Sequence, residues 1–420
     1  MCATPRNSAF ALAVALVCAG VPVLAGAEKA GWPQFRGPER NGVSQETGLL
    51  DKWPANGPEV LWRVELGDGY SGISVYKGRI YTMYGRGNDE FAAALDSTTG
   101  ATIWSFRTDA NWRDTQGNGP RSTPTVDGGV VYVLGARGKL YALNAGDGKP
   151  IWSRDLPDEY GVKPPRWGVS MSPLVERELL LVDAGGPDGA GIVAFNKKTG
   201  KEVWRSFDDP AGYSAPIAIT VGGVRQVLVF TARHVVAVSP GDGNVLWKIP
   251  WKTSYDVNAA SPVFIPPNRF FVSSGYDVGG AVYEIDVDGD RITVDQVWRN
   301  REMKNQFSSS ILVEGHLYGF DDKTLKCVDA KSGEGRWRER GFGHGSLTYV
   351  DGHLIVLGEE GTLALVEASP DAYREKGRAQ IFQGKTWTVP TYVGGKLFLR
   401  DEKELVSLDA AGSTTDSTEK

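Results

Sequence analysis

A chain of 420 residues with 41% hydrophobic and 23% charged residues has an ordinary globular composition, far from the disordered class. The formal net charge is −5 and Lys and Arg form no block, which excludes the clustered cationic footprint that nucleic-acid binding requires. Fifty-three glycines without a collagen period point to many tight turns, hence to many short strands.

In chain order, Arg6 is followed by an apolar run from Phe10 to Leu24 and then by Ala25-Gly26-Ala27. This is the pattern of an export signal spanning residues 1–27, cleaved after Ala27, and it predicts a periplasmic or secreted protein. Lipoprotein anchoring through Cys18 is not expected, because Val17 stands where a small residue is wanted. Cys2 and Cys18 leave with the signal, so the mature chain keeps Cys327 and forms no internal disulfide. No later apolar stretch approaches the roughly 20 residues of a membrane-spanning helix. Residues 28–57 are polar, contain Gly and Pro, and read as an extended N-terminal arm. Glu59-Val60-Leu61-Trp62-Arg63-Val64 then reads as a lone strand carrying a Trp.

From there a repeat governs the chain. A small residue is followed two positions later by Asp, Asn or Ser, four later by Gly and four later by Trp. It reads Ala94, Asp96, Gly100, Trp104; then Ala142, Asn144, Gly148, Trp152; then Ala194, Asn196, Gly200, Trp204. It returns as Ala237, Ser239, Gly243, Trp247 and as Cys327, Asp329, Gly333, Trp337. Three degraded copies complete eight: Glu284 and Asp286 running to Trp298; Leu365 and Glu367 with Pro370 and Tyr373 in place of Gly and Trp; and Ser407 with Asp409. The Asp or Asn suits a bond to the turn backbone, the Gly a positive φ, and the Trp a packing role between neighbouring units with its N–H needing a partner. Two further strands precede each motif, and four short strands per repeat define a propeller blade. The fold class is therefore all-β: an eight-bladed β-propeller of four-stranded antiparallel blades over residues 58–412. The strand around Trp62 is predicted to complete the last blade, which removes the open edges. Residues 413–420 read as a disordered tail.

The form Asp96-x-x-Thr-Gly-x-x-x-Trp104 resembles the repeat of pyrroloquinoline quinone (PQQ) dehydrogenases. It is also similar to the repeat of the propeller lipoprotein of the outer-membrane β-barrel assembly machinery, within the wider WD40/YVTN-like repeat superfamily. Trp32-Pro33-Gln34-Phe35-Arg36-Gly37-Pro38 looks like the leader of exported PQQ-like repeat proteins. The dehydrogenase resemblance implies an adjacent cysteine pair, a Trp beneath the cofactor, Ca²⁺ ligands and a catalytic Asp. The cysteine pair is missing here, and so is any Cys-x-x-Cys-His.

The segments linking the blades are predicted to converge on the channel mouth: Trp112-Arg113-Asp114 with Asn118 and Arg121, Arg166-Trp167-Gly168, Tyr255 to Asn258, and Lys304 to Phe307. With PQQ and Ca²⁺ as the implied cofactors, the candidate cofactor-binding residues are Arg121, Arg166, Trp167, Tyr213, Asn258, Tyr276, Lys304 and Asn305. Asp256 is the candidate catalytic carboxylate. The competing expectation is that these groups cap strand ends. Asp256 and Asn258 offer two oxygens where Ca²⁺ wants six to eight, and no metal site is assigned. Asp286-Val287-Asp288-Gly289-Asp290 reads as an acidic turn, since Val297 stands where a Ca²⁺ loop needs Glu. Cys327 sits at a small-residue position and reads as a packed thiol. His344 is placed near the rim; His234, His316 and His353 attract no role.

The functional expectation is a binding or assembly module without catalytic activity, with protein or glycan partners in the cell envelope. The alternative is a PQQ- and Ca²⁺-dependent alcohol or sugar dehydrogenase. A third reading is carbohydrate binding at the rim through Trp112, Trp167 and Tyr213.

Overall fold

The computed structural model describes residue 1 and residues 31–412. The expected export signal of residues 1–27, with Cys2 and Cys18, and the expected tail of residues 413–420 lie outside the described residues apart from residue 1. Residues 59–409 form eight sheets of four antiparallel strands each, arranged in a ring as a β-propeller. Blades one to seven occupy residues 74–110, 125–155, 174–206, 217–250, 263–300, 311–339 and 346–380. Blade eight is composite. Thr391–Val393, Lys396–Arg400 and Glu404–Asp409 supply three strands, and Glu59–Glu65 adds the outer one, with Val60 opposite Leu408 and Trp62 opposite Ser407. The ring is thus closed by joining two ends of the chain, as the lone Trp strand requires. Among the described residues helix is nearly absent: Leu156–Tyr160 is one turn, capped by Asp155 and stopped by Gly161 at φ 63°.

The repeat works as its chemistry demands. Asp96 Oδ1 accepts from the N–H groups of Thr98 and Thr99, both at 2.9 Å, and Gly100 takes φ 73°. On the third strand Ala94, Ala142, Ala194, Ala237 and Cys327 each face the Trp of the fourth. Each such Trp then reaches the next blade. Trp104 lies against Gly148 and donates its indole N–H to Ala145 O at 3.1 Å; Trp62, Trp152, Trp204, Trp298 and Trp337 make the same bond to Ser97, Lys197, Pro240, Ala330 and Ser369. Each link combines a buried or half-buried ring with one hydrogen bond of about 1 kcal/mol, repeated around the ring. Trp247 departs from the pattern, because blade five turns late through a hairpin of two ten-residue strands; its N–H goes to Gln226 and its ring stacks on Phe270 at 5.2 Å.

Two degraded copies sit differently from the sequence register. In blade five Trp298 faces Val282, so Val282 and Glu284 hold the small and turn positions assigned to Glu284 and Asp286. In blade seven Tyr373 precedes the outer strand and packs on Trp337, while Gly377 faces Leu365 at the Trp position. The vacated seat is filled by Trp53 of the N-terminal arm, 4% exposed: a Cβ on Gly377 would lie 2.6 Å from Trp53 Cβ.

The arm reaches the innermost strands of six blades. Trp32 pairs with Val75 and Pro33 O accepts from Val126 N–H. Arg40 donates to Ser172 O at 3.2 Å, Pro216 O at 3.0 Å and Pro173 O, and Arg36 to Ser310 O at 2.5 Å. Val43 pairs with Tyr349. Both guanidinium groups are buried without a carboxylate partner, and burial alone pulls each down to about 9. Between the blades, hydroxyls of the inner strands add a second hoop. Ser74 donates to Pro124 O, Thr125 to Pro173 O, Thr348 to Pro390 O and Thr391 to Ile73 O, at 2.6–2.9 Å.

Candidate functional site: a blind aromatic funnel on the propeller axis

Inner strands converge on the axis, and the linkers that feed them line a cavity of about 460 Å³. That volume falls within the range of small-ligand pockets, about 300–1,000 Å³. Five blades open on a proline, and the residue three positions before it faces the cavity in each: Arg121, Ser170, Tyr213, Ala259 and Trp387, ahead of Pro124, Pro173, Pro216, Pro262 and Pro390. In the remaining three blades the same register gives Tyr70, Phe307 and His344. Eight equivalent positions therefore make one ring of lining side chains. Phe35 also lines the cavity, and next to it Arg36 and Arg40 lock the arm across the axis.

The aromatic rings fall into two groups. Trp167 packs on Tyr213 at 6.0 Å and edge-on to Tyr255 at 6.4 Å, and Tyr255 meets Tyr276 at 6.0 Å. Arg166 lies over Trp167 at 5.1 Å, a cation–π contact at the mouth. From other blades, Trp387 contacts Tyr70 at 5.1 Å and Phe307 at 4.6 Å, and Phe307 meets His344 at 5.3 Å. Lys385 sits 4.3 Å above the Trp387 ring and donates to Gln116 O.

The charged groups of the lining are largely spent within the protein. Arg121 donates to Asp114 Oδ2 and Gly117 O, each at 2.8 Å, and lies 5.8 Å from the Tyr70 ring. Burial draws its pKa down against the pull of Asp114. His344 is held between Asp322, 2.9 Å from Nε2, and Glu359, 3.2 Å from Nδ1. Glu359 also accepts from the His344 backbone N–H at 3.1 Å and from Trp387 Nε1 at 3.0 Å. Burial would raise its carboxyl, but these donors outweigh it and hold the pKa below the ordinary value. Burial pushes the Tyr213 hydroxyl up to about 12, so it stays protonated and able to donate.

Of the residues singled out in the sequence, Arg121, Trp167, Tyr213 and Tyr276 come together in this lining, with Arg166 at its mouth. Asn258 is fully buried behind it: its amide donates to Thr231 O and Ala232 O at 2.9 and 3.0 Å, and its oxygen accepts from Ser274 Oγ at 2.8 Å. Asn305 likewise donates to Phe320 O and accepts from Ser310 Oγ. Both asparagines fix the shape of the linkers. Lys304 pairs with Asp277 and Asp321 at 3.4 and 3.6 Å. Asp256 stands on an exposed turn at φ 57°, paired with Arg233 at 3.3 Å. Trp112 contributes through its N–H, which bonds Asp114 Oδ2 at 2.6 Å and so orients the partner of Arg121.

The oxygens of Asp256 and Asn258 are thus directed at different partners, and these residues do not fit a Ca²⁺ ion. Among the described residues no group of three or more His, Cys, Asp or Glu is placed to hold a metal. Phe35, Tyr70, Glu359, Lys385 and Trp387 were not anticipated. The proline register would have located Trp387, whereas Phe35 carries no repeat signal at all.

Fold and funnel together define an eight-bladed propeller of the quinoprotein type. The family model described as outer membrane protein assembly factor BamB matches residues 88–339, more than half of the chain, and the chain belongs to that family. The outer membrane protein assembly factor BamB of Yersinia pestis is 25% identical over 334 residues, covering 73% of this chain and 77% of that protein. The quinoprotein ethanol dehydrogenase of Pseudomonas aeruginosa is 29% identical over 164 residues, covering 35% of this chain. The chain aligns with only 25% of the length of that dehydrogenase and of a second one, the alcohol dehydrogenase PedH of Pseudomonas putida. Among solved structures, BamB from Moraxella catarrhalis superposes with a TM-score of 0.60 at 14% identity, covering 83% of this chain and 96% of that one. A quinohemoprotein alcohol dehydrogenase from Pseudomonas putida gives 0.64 at 13% identity, covering 91% and 81%. At such identities the likeness is one of fold.

Proposed function

We propose that this chain is an exported binding and assembly module of the cell envelope, working through its funnel and without a catalytic step of its own. The observation that carries this reading is the state of the lining. Its charged side chains are engaged within the protein, Arg121 with Asp114, Glu359 with His344 and Lys385 with Gln116 O, so the funnel presents a shaped recognition surface. The relative aligned over most of the chain is named an assembly factor, which favours protein partners at the outer membrane. The export signal read in residues 1–27 agrees with a periplasmic or secreted location.

The dehydrogenase reading draws on the partial match to quinoprotein dehydrogenases and on the aromatic lining. Against it stand the oxygens of Asp256 and Asn258, bound to Arg233 and Ser274. Two measurements on the purified protein separate the readings. Quantitative capture from solubilised envelopes should return partners that a Trp387→Ala variant loses, while dye-linked turnover with added PQQ and Ca²⁺ over alcohols and sugars should stay at background. Cofactor-dependent turnover together with capture indifferent to Trp387 would overturn the proposal.

A further inference from the structure

We propose that the funnel receives the end of a neutral glycan chain. This rests on the reading of the funnel as a binding site and names the chemistry it binds.

Three features of the lining point the same way. First, its apolar surface is aromatic: Trp167, Tyr213, Tyr276, Phe307, Trp387 and Phe35 dominate, while aliphatic side chains are confined to two valines and two alanines. An acyl chain or the apolar face of a helix packs best on long aliphatic side chains. A pyranose ring instead offers flat faces of weakly positive C–H groups, which complement the negative faces of aromatic rings. Second, the interior carries little uncommitted charge. Arg121 and Glu359 are engaged internally, so a polyanionic ligand would find poor compensation for its desolvation. Third, hydrogen-bonding groups of both senses face the cavity. Among the described residues the Gln116 amide and the Ser308 hydroxyl have no side-chain hydrogen bond, and the Tyr213 hydroxyl accepts the Trp167 N–H at 3.4 Å and keeps its own proton to give. Sugar hydroxyls both donate and accept, and such a mixed set suits them.

The floor decides which part of a chain can enter. Phe35 lies at the bottom, and Arg36 and Arg40 tie the arm to blades two, three, four and six through carbonyl and hydroxyl oxygens. A polymer cannot thread through. Its terminal units can be seated while the remainder leaves by the mouth past Trp167 and Arg166.

The test is a tryptophan-fluorescence and calorimetric titration of the whole protein with linear gluco-, cello-, chito-, xylo- and manno-hexaoses, with cyclic maltohexaose as the ligand lacking an end. At least one linear series should saturate, and the cyclic form should bind about tenfold more weakly or worse. Trp167→Ala and Trp387→Ala should each weaken binding about tenfold or more. Gln116→Ala, which removes a side chain that bonds no other described residue, should weaken it several-fold with the circular-dichroism melt unchanged. Ile151→Ser on the outer strand of blade two should bind like the parent. Failure of every linear glycan to bind, equal binding of linear and cyclic forms, or binding indifferent to all three funnel variants overturns the glycan assignment. If glycans fail while Trp387-dependent envelope capture persists, the binding-module reading survives alone; if both fail, both readings fall.

Discussion

Blade seven lacks the Trp that ties each neighbour to the next blade, and Trp53 of the arm occupies its seat against Gly377. Trp53 is 4% exposed and belongs to a cluster with Leu49, Ile355, Leu365, Tyr392 and Leu397. Truncating a buried Trp to Ala costs about 3–5 kcal/mol. Trp53 Nε1 is buried without a hydrogen-bond partner, and removing that orphan donor returns about 1–3 kcal/mol. Taking the midpoints of the two ranges, the net loss expected for Trp53→Ala is about 2 kcal/mol, and for Trp53→Phe less than about 1 kcal/mol. The decisive variant is Gly377→Trp. In the parent its Cβ would collide with Trp53 Cβ at 2.6 Å, so it should destabilise. Combined with Trp53→Ala, the new indole can take the vacant seat from the strand position that the seven other blades use, and stability should rise above that of Trp53→Ala alone. Urea unfolding of the four proteins gives the coupling directly. If Gly377→Trp is as harmful in the Trp53→Ala background as in the parent, or if Trp53→Ala shifts stability by less than about 0.5 kcal/mol, the arm does not serve as the missing Trp.

Three further outcomes are expected. Arg40→Met keeps the volume of the stem but leaves the carbonyls of Ser172 and Pro216 without their donor and Pro173 O with Thr125 alone; it should cost about 2–4 kcal/mol and expose the arm to limited proteolysis, and an unchanged cleavage pattern would remove the anchoring role. Glu90 is fully buried, and burial pushes its carboxyl from 4.5 up to about 7 against bonds from Ala136 N–H and Thr108 Oγ1. A value raised on folding means a contribution fully present below pH 4.5 and lost as pH climbs through 7, so the stability of Glu90→Gln relative to the parent should rise by up to about 3 kcal/mol across that window; a flat difference between pH 4 and 8 would contradict the burial argument. Cys327 is fully buried opposite Trp337 with its thiol pushed up to about 11, so a disulfide reagent should label it only on unfolding, and fast labelling of the native protein would show the site to be open.

What the sequence made legible is what the blades do identically. Ala, Asp or Asn, Gly and Trp recur because each blade solves the same turn and the same neighbour contact, and that periodicity yields the blade count and the closing strand. Misreadings fall where one blade solves the contact differently. The long hairpin of blade five shifted the register by two, and in blade seven the indole comes from residue 53, beyond the reach of any local pattern. The site obeys the opposite rule. Its eight ring positions are equivalent in register yet hold Tyr, Arg, Ser, Tyr, Ala, Phe, His and Trp, so position repeats and chemistry does not. Aromatic and basic linkers such as Arg166-Trp167 announce themselves, but Asn258 and Asn305 look the same in sequence as ligand-binding amides and are consumed by backbone groups.

The arm is the part no periodicity could announce, since Arg36 reaches Ser310 across 274 residues. Its logic follows from backbone accounting. Near the axis the inner strands of neighbouring blades splay apart, and carbonyls such as those of Ser172, Pro216 and Ser310 point into the channel without a ladder partner. Buried carbonyls need donors, and two guanidinium groups supply several each in a fixed fork. Cations without anions are tolerated there because carbonyl dipoles from three blades and from Asn41 of the arm converge on them. The plug is therefore part of the core and not a lid: withdrawing it would strand those carbonyls and two charges at once. A floor held on those terms keeps the funnel blind, and a blind funnel discriminates by what can end inside it.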